Sequence, residues 1–491
     1  MNFNEKLPSI NPKVSKENKT RNTSTKSMIG LFSAILAGLI IYFLLTGGSI
    51  ESGGLSSSAR SLAAIFTVAL VLWSTETLPV AVTSLLILVL MPIFGIYKDL
   101  KSSIVGFSST VVFFVIASYI LSIAVEKSGI GRRFALWLIT KTGTKSKIAV
   151  LVFMIGCATT SSIMSDVPSS AIWMSLALPI MTKLNLKPGL SNFGKALMMG
   201  IPISALIGGI ATPAGSSINI LALSLLKSVG NINITFLQWM GFGIPMYLIL
   251  TFAAWFIIVK LIPPEIDTIG DMKEFKVERN NLGRWNSREM KTAIIMVISF
   301  VLWIASSWMK HLDITQVAMI ASIVMFLPGI KLLKWEEVEK SIGWNTVLMI
   351  GSVTCLGLAS VDTGLSSWVV NNALSGISNM NIVWITVIIS AFTVIIHLPI
   401  PINPAIIAAI IPPIITLAQS TGVNPAIYAL PVAFTASCAF LLPLDAVVLI
   451  TYSKGYYKML DMFVPGIFIS VVWVVVMTTL MMTLGPILGL T

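Results

Sequence analysis

Two aspartates stand inside stretches of sequence that carry almost no other charge. Asp166 lies in SDVPSS, residues 165–170, and Asp445 lies in LLPLDAVVLI. Proline occurs two residues after the first and two residues before the second, and proline is typical of a helix start. A carboxylate surrounded by apolar segments is costly unless a cation or a proton accompanies it. These patterns predict cation binding where helices break, with a helix N-cap as the structural alternative for each aspartate.

Oxygen-bearing residues surround both aspartates in the sequence. Small hard cations prefer oxygen ligands, which hydroxyl, amide, carboxylate and main-chain carbonyl groups supply. For His397, one of two histidines, both a proton relay and a structural role remain open. The residues that we predict to bind a cation are Ser161, Ser162, Ser165, Asp166, Gly215, Asn219, His397, Asn403, Ser437 and Asp445.

The same segments are suited to hold an anion. Pro168 and Pro404 predict helices whose N-terminal amides and positive dipole ends would point into the site. The stretches GGIATPAGSSINILAL (208–223) and TASCAFLLPLDAVVL (435–449) place small and polar residues inside predicted spans, where a lipid-facing helix would not need them. The residues that we predict to bind the substrate are Ser165, Asp166, Val167, Thr212, Pro213, Ser216, Ser217, Asn403, Pro404 and Pro443.

The composition predicts an all-α polytopic membrane protein. Of 491 residues, 56% are hydrophobic and 11% are charged, and apolar runs recur near the roughly 20-residue length of a transmembrane helix. The net charge of +12 comes from short segments between these runs, so no nucleic-acid partner is expected. The three cysteines have no metal-ligand spacing. The chain contains no HExxH or GxSxG motif, which argues against an enzyme.

Lysine and arginine mark the loops that stay in the cytoplasm, and they order the spans. About 11 spans are expected on this basis. They lie near 28–46, 61–75, 78–97, 104–126, 197–227, 238–260, 292–309, 314–330, 345–361, 428–452 and 463–487. Lysine-bearing loops flank 148–182 on both sides, which predicts a re-entrant helical hairpin; two short full spans are the alternative.

The spans predict an inverted repeat. VVFFVIASYILSIAVEKSGI (111–130) aligns with TVLMIGSVTCLGLASVDTGL (346–365), and each precedes a broken segment. Inverted repeats that meet at two interrupted segments are typical of secondary transporters with a site near the midplane. The predicted divisions are a disordered cytoplasmic tail (1–27), a helix with an external loop (28–59), repeat 1 (60–262, hairpin 148–182), a cytoplasmic linker (263–291) and repeat 2 (292–491, hairpin 381–418).

Four segments resemble the divalent anion/sodium symporter family of the ion-transporter superfamily. They are TETLPVAVTSLL, EKSGIGRR, GIATPAGSSINILAL and PVAFTASCAFLLPLDAVVLITYSKGYYKMLDM, and their order covers nearly all of 60–490. The resemblance implies a homodimer, a scaffold with an elevator-type moving domain, and sodium sites at the two hairpin tips. It also implies a Ser-Asn-Thr motif at each tip for substrate carboxylates. Here the tips read Ser165-Asp166-Val167 and Ile402-Asn403-Pro404, so the chain is a divergent member.

The sequence therefore predicts a sodium-coupled secondary active transporter, a symporter or an exchanger. Its expected substrates are small anions such as di- or tricarboxylates or inorganic oxyanions. The alternative is a cation/proton antiporter that uses Asp166 and Asp445; an intramembrane enzyme or a channel is less favoured. No cofactor is expected, and sodium is the coupling ion, with protons as the alternative. Expected partners are the anion, sodium, membrane lipid and a second copy of the chain. The expected location is the plasma membrane, with the N-terminus cytoplasmic and the C-terminus external.

Overall fold

A computed structural model describes residues 12–46, 55–141, 143–271, 273–309 and 311–490, with side chains from residue 27 onward. Within these ranges the chain forms helices and no β-strand, apart from an isolated bridge between Lys145 and Thr268. Eight helices in the described ranges are long and apolar enough to cross a membrane. The prediction of an all-α polytopic membrane protein is confirmed.

The first half of the chain contains eleven helices in its described part, joined in two places by a 3-10 turn, at Val105–Ser108 and Pro213–Gly215. The helices are α1 (Pro12–Leu44), α2 (Ser57–Thr75), α3 (Val80–Ile93), α4 (Leu100–Ser103), α5 (Thr110–Ser128), α6 (Ile130–Lys141), α7 (Ser146–Met164), α8 (Asp166–Lys183), α9 (Asn192–Gly209), α10 (Ser217–Ser228) and α11 (Phe236–Leu261).

The second half continues the helical pattern, with a π-helical turn at Val370–Leu374 and a 3-10 turn at Met459–Asp461. Its helices are α12 (Lys273–Asn281), α13 (Ser287–Ala305), α14 (Ile314–Val324), α15 (Trp335–Val338), α16 (Trp344–Asp362), α17 (Leu365–Val369), α18 (Ser375–Ser378), α19 (Ile382–Ile395), α20 (Asn403–Ser420), α21 (Pro425–Thr435), α22 (Ala446–Tyr452) and α23 (Phe463–Ile487).

Helix contacts recur in pairs between the two halves. Helix α3 packs on α16, and α14 packs on α5. In the same way α8 packs on α22 and α20 packs on α10, while α11 and α23 contact each other. In each case a helix of one half packs on a helix of the other half, and the two corresponding helices make the equivalent contact. Two similar units that face each other would pack in this way. The inverted repeat stays a prediction, and these reciprocal contacts support it.

Helix boundaries differ from the sequence analysis at several places, among them the starts of α1, α5 and α13. Helix α1 already begins at Pro12, within the segment expected to be disordered, because proline suits a first helical turn. Residues 1–11 of that tail, and 47–54 of the expected external loop, lie outside the described residues. Helix α13 begins at Ser287 rather than near 292, because Asn286 and Glu289 cap it reciprocally.

Glycine lets helices α7 and α9 approach closely. A Cβ at Gly208 would overlap the carbonyl oxygen of Ala158, which is helix backbone and cannot turn away. Both residues are buried in the contact between the two helices. The close approach brings the end of α7 against the loop that follows α9.

We expect Gly208→Ala to lower the midpoint of thermal unfolding of the purified protein. Overpacking of a filled interior costs roughly 1–3 kcal/mol, and here the obstacle is backbone. The matched control is Gly376→Ala, because a Cβ there meets no atom within 4 Å. Equal midpoints for the two variants would contradict the close packing of α7 on α9.

Glu265 joins the predicted linker to the start of α9. Its carboxylate accepts hydrogen bonds from the Ser191 hydroxyl at 2.5 Å and from the amide of Phe193 at 2.7 Å. Partial burial raises the pKa of this carboxyl, but the hydrogen bonds outweigh burial and hold the pKa below its usual value of 4.5. The ionised carboxylate of Glu265 therefore stabilises the folded protein at pH values above 4.5.

Acidification should remove this stabilisation. A carboxyl with a lowered folded-state pKa contributes stability above the unfolded-state pKa and loses it as the pH falls through the folded-state pKa. We expect the unfolding midpoint of Glu265→Gln to fall less than that of the wild type when the pH is lowered from about 6 to about 4. Glu274→Gln, which removes an exposed carboxylate in the same linker, is the control. Parallel pH profiles for Glu265→Gln and the wild type would rule out the proposed contribution.

Candidate functional site

The first helix break lies at Ser165, between α7 and α8. Ser165 has a φ of 77°, in the left-handed region that a residue with a side chain rarely adopts. Asp166 follows as the first residue of α8 and is buried. Ser165 and not Asp166 occupies the N-cap position of α8, so the N-cap alternative does not describe Asp166.

Asp166 and a main-chain carbonyl compete for one hydroxyl proton. The Ser161 hydroxyl lies 2.6 Å from Oδ1 of Asp166 and 2.7 Å from the carbonyl oxygen of Ala205. A serine hydroxyl has a single proton, so it can donate to one of these oxygens and not to both. With Asp166 ionised, two buried oxygens would face each other without a proton between them. Ser216 also hydrogen-bonds Asp166, and a cation or a proton at the carboxylate would stabilise this arrangement further.

The loop after α9 closes around the same carboxylate. A Cβ at Gly209 would overlap Oδ1 of Asp166, so only glycine allows the approach. Asn219 donates its amide to the carbonyls of Gly209 (2.8 Å) and Thr212 (2.9 Å), which orders this loop. Its own Oδ1 is buried without a hydrogen-bond partner. An unpartnered amide oxygen next to Gly209 fits a cation ligand.

The second break has a different arrangement. Asn403, the first residue of α20, donates its amide to Oδ2 of Asp445 at 3.1 Å. Oδ1 of Asp445 accepts from the amide of Val447 at 2.8 Å, so Asp445 caps α22 as the structural alternative anticipated. The sequence analysis paired Asp445 with Asp166, but the two carboxylates have different partners.

Three buried oxygens at the second break have no hydrogen-bond partner: Oδ1 of Asn403, Oγ1 of Thr435 and Oγ of Ser437. Thr435 ends α21, and Ser437 follows it in the break. Both ring nitrogens of His397 lie near main-chain carbonyls, of Thr393 at 2.6 Å and of Ala436 at 3.0 Å. His397 is thus held by backbone, which favours a structural role over cation binding.

A narrow cleft opens beside the first break. Ser165 and Ser217 line it from one side, and Ser118, Tyr119 and Ser122 of α5 line it from the other. The sequence analysis missed the three residues of α5. The available signal was the spacing of Ser118 and Ser122, which are four residues apart and therefore on one face of an apolar span.

Most of the other predicted site residues lie around the breaks with their side chains hydrogen-bonded or buried. The Thr212 hydroxyl donates to the carbonyl of Ser162, and the Ser162 hydroxyl donates to that of Thr159. Val167 is 45% exposed. A Cβ at Gly215 would overlap the carbonyl oxygen of Gly209. Buried residues of the set are Pro213, Ser216 and Pro443; Pro404 is half-buried.

Among the described residues, no cluster of three or more His, Cys, Asp or Glu could hold a metal ion. A cation at either break would therefore rely on one carboxylate together with hydroxyl, amide and carbonyl oxygens. Such a mixed oxygen set suits a monovalent ion better than a transition metal.

Related proteins match this chain over most of its length. A sodium-dependent dicarboxylate transporter, SdcS, of Staphylococcus saprophyticus is 27% identical, and the match covers 97% of this chain and 94% of that protein. A sodium-dependent high-affinity dicarboxylate transporter of Caenorhabditis elegans is 25% identical, with 81% and 78% covered.

Solved structures show where the fold recurs. MtrF of Neisseria gonorrhoeae, described as one of a class of antimetabolite efflux pumps, superposes with a TM-score of 0.57 at 13% identity. The superposition covers 78% of this chain and 83% of MtrF. The YdaH transporter of Alcanivorax borkumensis gives a TM-score of 0.53 at 12% identity, with 77% and 87% covered. The fold is thus that of membrane transporters.

The family profile described as the sodium:sulfate symporter transmembrane region matches residues 25–491, almost the whole chain. This match agrees with the resemblance that the sequence motifs carry. The members of this family are secondary transporters and not enzymes. The chain belongs to the sodium:sulfate symporter family, the divalent anion/sodium symporters.

Proposed function

We propose that the protein is a sodium-coupled symporter or exchanger of small anions, such as di- or tricarboxylates or inorganic oxyanions. Sodium would bind at the two helix breaks, and the anion would bind in the cleft beside the first. The sodium-dependent dicarboxylate transporters among the relatives support this class of substrate and this coupling ion.

The observation that carries the proposal is the hydrogen-bond geometry around the buried carboxylate of Asp166. Ser161 can donate its one proton either to Asp166 or to Ala205, and both acceptors are buried. A sodium ion among the carboxylate, the hydroxyl oxygen and the free Oδ1 of Asn219 would satisfy all of these oxygens. A cation that binds together with the substrate would therefore stabilise this site.

The order of binding follows from charge. The cleft is lined by hydroxyl-bearing and apolar side chains, and no lysine or arginine of the described part of the chain lines it. An anion in this cleft would be repelled by Asp166 as long as that carboxylate is unneutralised. Sodium would therefore bind first, after which hydroxyl groups and the N-termini of α8 and α10 would hold the anion.

Cation/proton antiport is the second candidate, and the same observation favours it. A proton on Asp166 would let the carboxyl donate to Ser161 while Ser161 donates to Ala205, which also satisfies the group. In that case proton and sodium would exchange at Asp166, and no anion would be needed.

The moving domain in our proposal consists of the broken helices and those packed on them. Helices α7 to α11 and α19 to α23 contact one another, whereas α3, α5, α14 and α16 pack together as the scaffold. Helix α6 joins α5 to α7, and α17 and α18 lie between α16 and α19. An elevator-type displacement would carry both helix breaks past α5 and α16 together.

The remaining assignments rest on the sequence pattern and the family resemblance. The positive-inside pattern supports a cytoplasmic N-terminus and an external C-terminus in the plasma membrane. Homodimerisation is proposed because the family resemblance implies it.

Purified protein in proteoliposomes should accumulate labelled succinate, citrate or sulfate when sodium is higher outside than inside. The reason is that sodium must neutralise the helix breaks before the anion binds. The measurement is uptake with an inward sodium gradient, with potassium in place of sodium as the control. Collapse of a pH gradient by sodium with no anion present, and no anion uptake, would support antiport and overturn the symport proposal.

Asp166→Asn should weaken the dependence of transport or ligand-induced thermal stabilisation on sodium. The amide keeps an oxygen ligand but removes the charge that sodium neutralises, so the apparent sodium affinity should fall roughly tenfold, equivalent to about 1.4 kcal/mol. Asp99→Asn is the matched control, since Asp99 is exposed at the start of α4. Unchanged sodium dependence in Asp166→Asn would remove Asp166 from the cation site.

A further inference from the structure

A groove outside the transport site lies between α6 and the loop that links α12 to α13. Its walls include Arg133 and Trp137 of α6, Arg279 of α12, and Arg284 and Trp285 of the loop. We propose that this groove binds the headgroup of an anionic phospholipid. The inference does not depend on the substrate or the coupling ion of the transporter.

The groove lies at the level of the membrane surface. Helix α5 ends at Ser128 directly before α6, and α13 begins at Ser287 directly after Trp285. Both are expected membrane spans whose ends at the groove carry basic residues, and the positive-inside pattern assigns this face to the cytoplasm. A headgroup bound here would therefore sit at the depth of its own leaflet.

Two guanidinium groups in the groove have no acidic partner. Arg133 is neutralised by Glu289 at 2.9 Å and also donates to the carbonyls of Leu282 and Gly283. Arg279 donates to the neutral hydroxyl of Thr140, and within the described ranges no carboxylate lies within ion-pair distance of Arg279 or Arg284. A phosphate diester supplies the charge and the acceptor oxygens that these two groups lack.

The aromatic residues of the groove suit a lipid better than a free ion. Trp137 and Trp285 are each 48% exposed, and tryptophan is favoured where hydrocarbon meets the headgroup layer. Beyond Trp285, the exposed side chains of Met290, Ile294 and Ile298 form an apolar stripe along α13. An acyl chain can follow this stripe while the phosphate stays between Arg279 and Arg284.

The test measures binding of phosphatidylglycerol and phosphatidylcholine to delipidated protein in detergent, by native mass spectrometry or thermal shift. Phosphatidylglycerol should bind more tightly. The double variant Arg279→Gln/Arg284→Gln should weaken its binding roughly 25-fold, since each basic residue near an anionic headgroup contributes about fivefold. Arg279→Lys/Arg284→Lys should restore most of the affinity, which separates lost charge from misfolding.

The charge control is Lys273→Gln/Lys276→Gln, which removes the same charge from exposed positions of α12 outside the groove. This control should leave the preference for phosphatidylglycerol intact. Glycerophosphate and inorganic phosphate serve as probes for a free anion and should not compete at concentrations that saturate with lipid. Equal binding of the two lipids, equal loss in both Gln double variants, or full competition by inorganic phosphate would each overturn the proposal.

Discussion

The proposed transport site depends on the crowding of buried oxygens around Asp166, where the hydroxyl groups of Ser161 and Ser216 are the side-chain hydrogen-bond partners of the carboxylate. Ser161 faces both Asp166 and Ala205 with a single hydrogen. Burial makes this crowding costly, because a buried carboxylate loses its contact with bulk water. The carboxylate is held in this position by the helix break, by the positive φ of Ser165 and by the glycines of the facing loop. In the proposed function, a cation or a proton at this carboxylate would stabilise the arrangement.

Much of this arrangement could be predicted from the sequence. Charge and proline inside apolar runs marked the breaks at Asp166 and Asn403, because lipid-facing helices do not tolerate such residues. Hydropathy indicated the helical membrane fold. The sequence analysis also selected Asn219 as an oxygen ligand, and its Oδ1 is buried without a hydrogen-bond partner.

The rest depends on contacts between segments distant in the chain. Ser118, Tyr119 and Ser122 are hydroxyl-bearing residues in an ordinary span, and only the packing of α5 beside the first break brings them to the cleft. Likewise, repeat symmetry suggested equal roles for the two aspartates, but the amides of Val447 and Asn403 engage Asp445. The start of α13 was missed because the Asn286–Glu289 cap extends a helix into polar sequence, which hydropathy does not register.

Because Gly209 contacts Asp166, the residue types that fit at these two positions, which are distant in the sequence, depend on each other. A Cβ at position 209 would occupy the volume that the carboxylate oxygen fills, so a larger residue there would force the Asp166 side chain out of its present position. Among related proteins, we expect the residues at positions 166 and 209 to covary. A relative with alanine at position 209 is therefore expected to lack an acid at position 166, and with it the charge at this helix break.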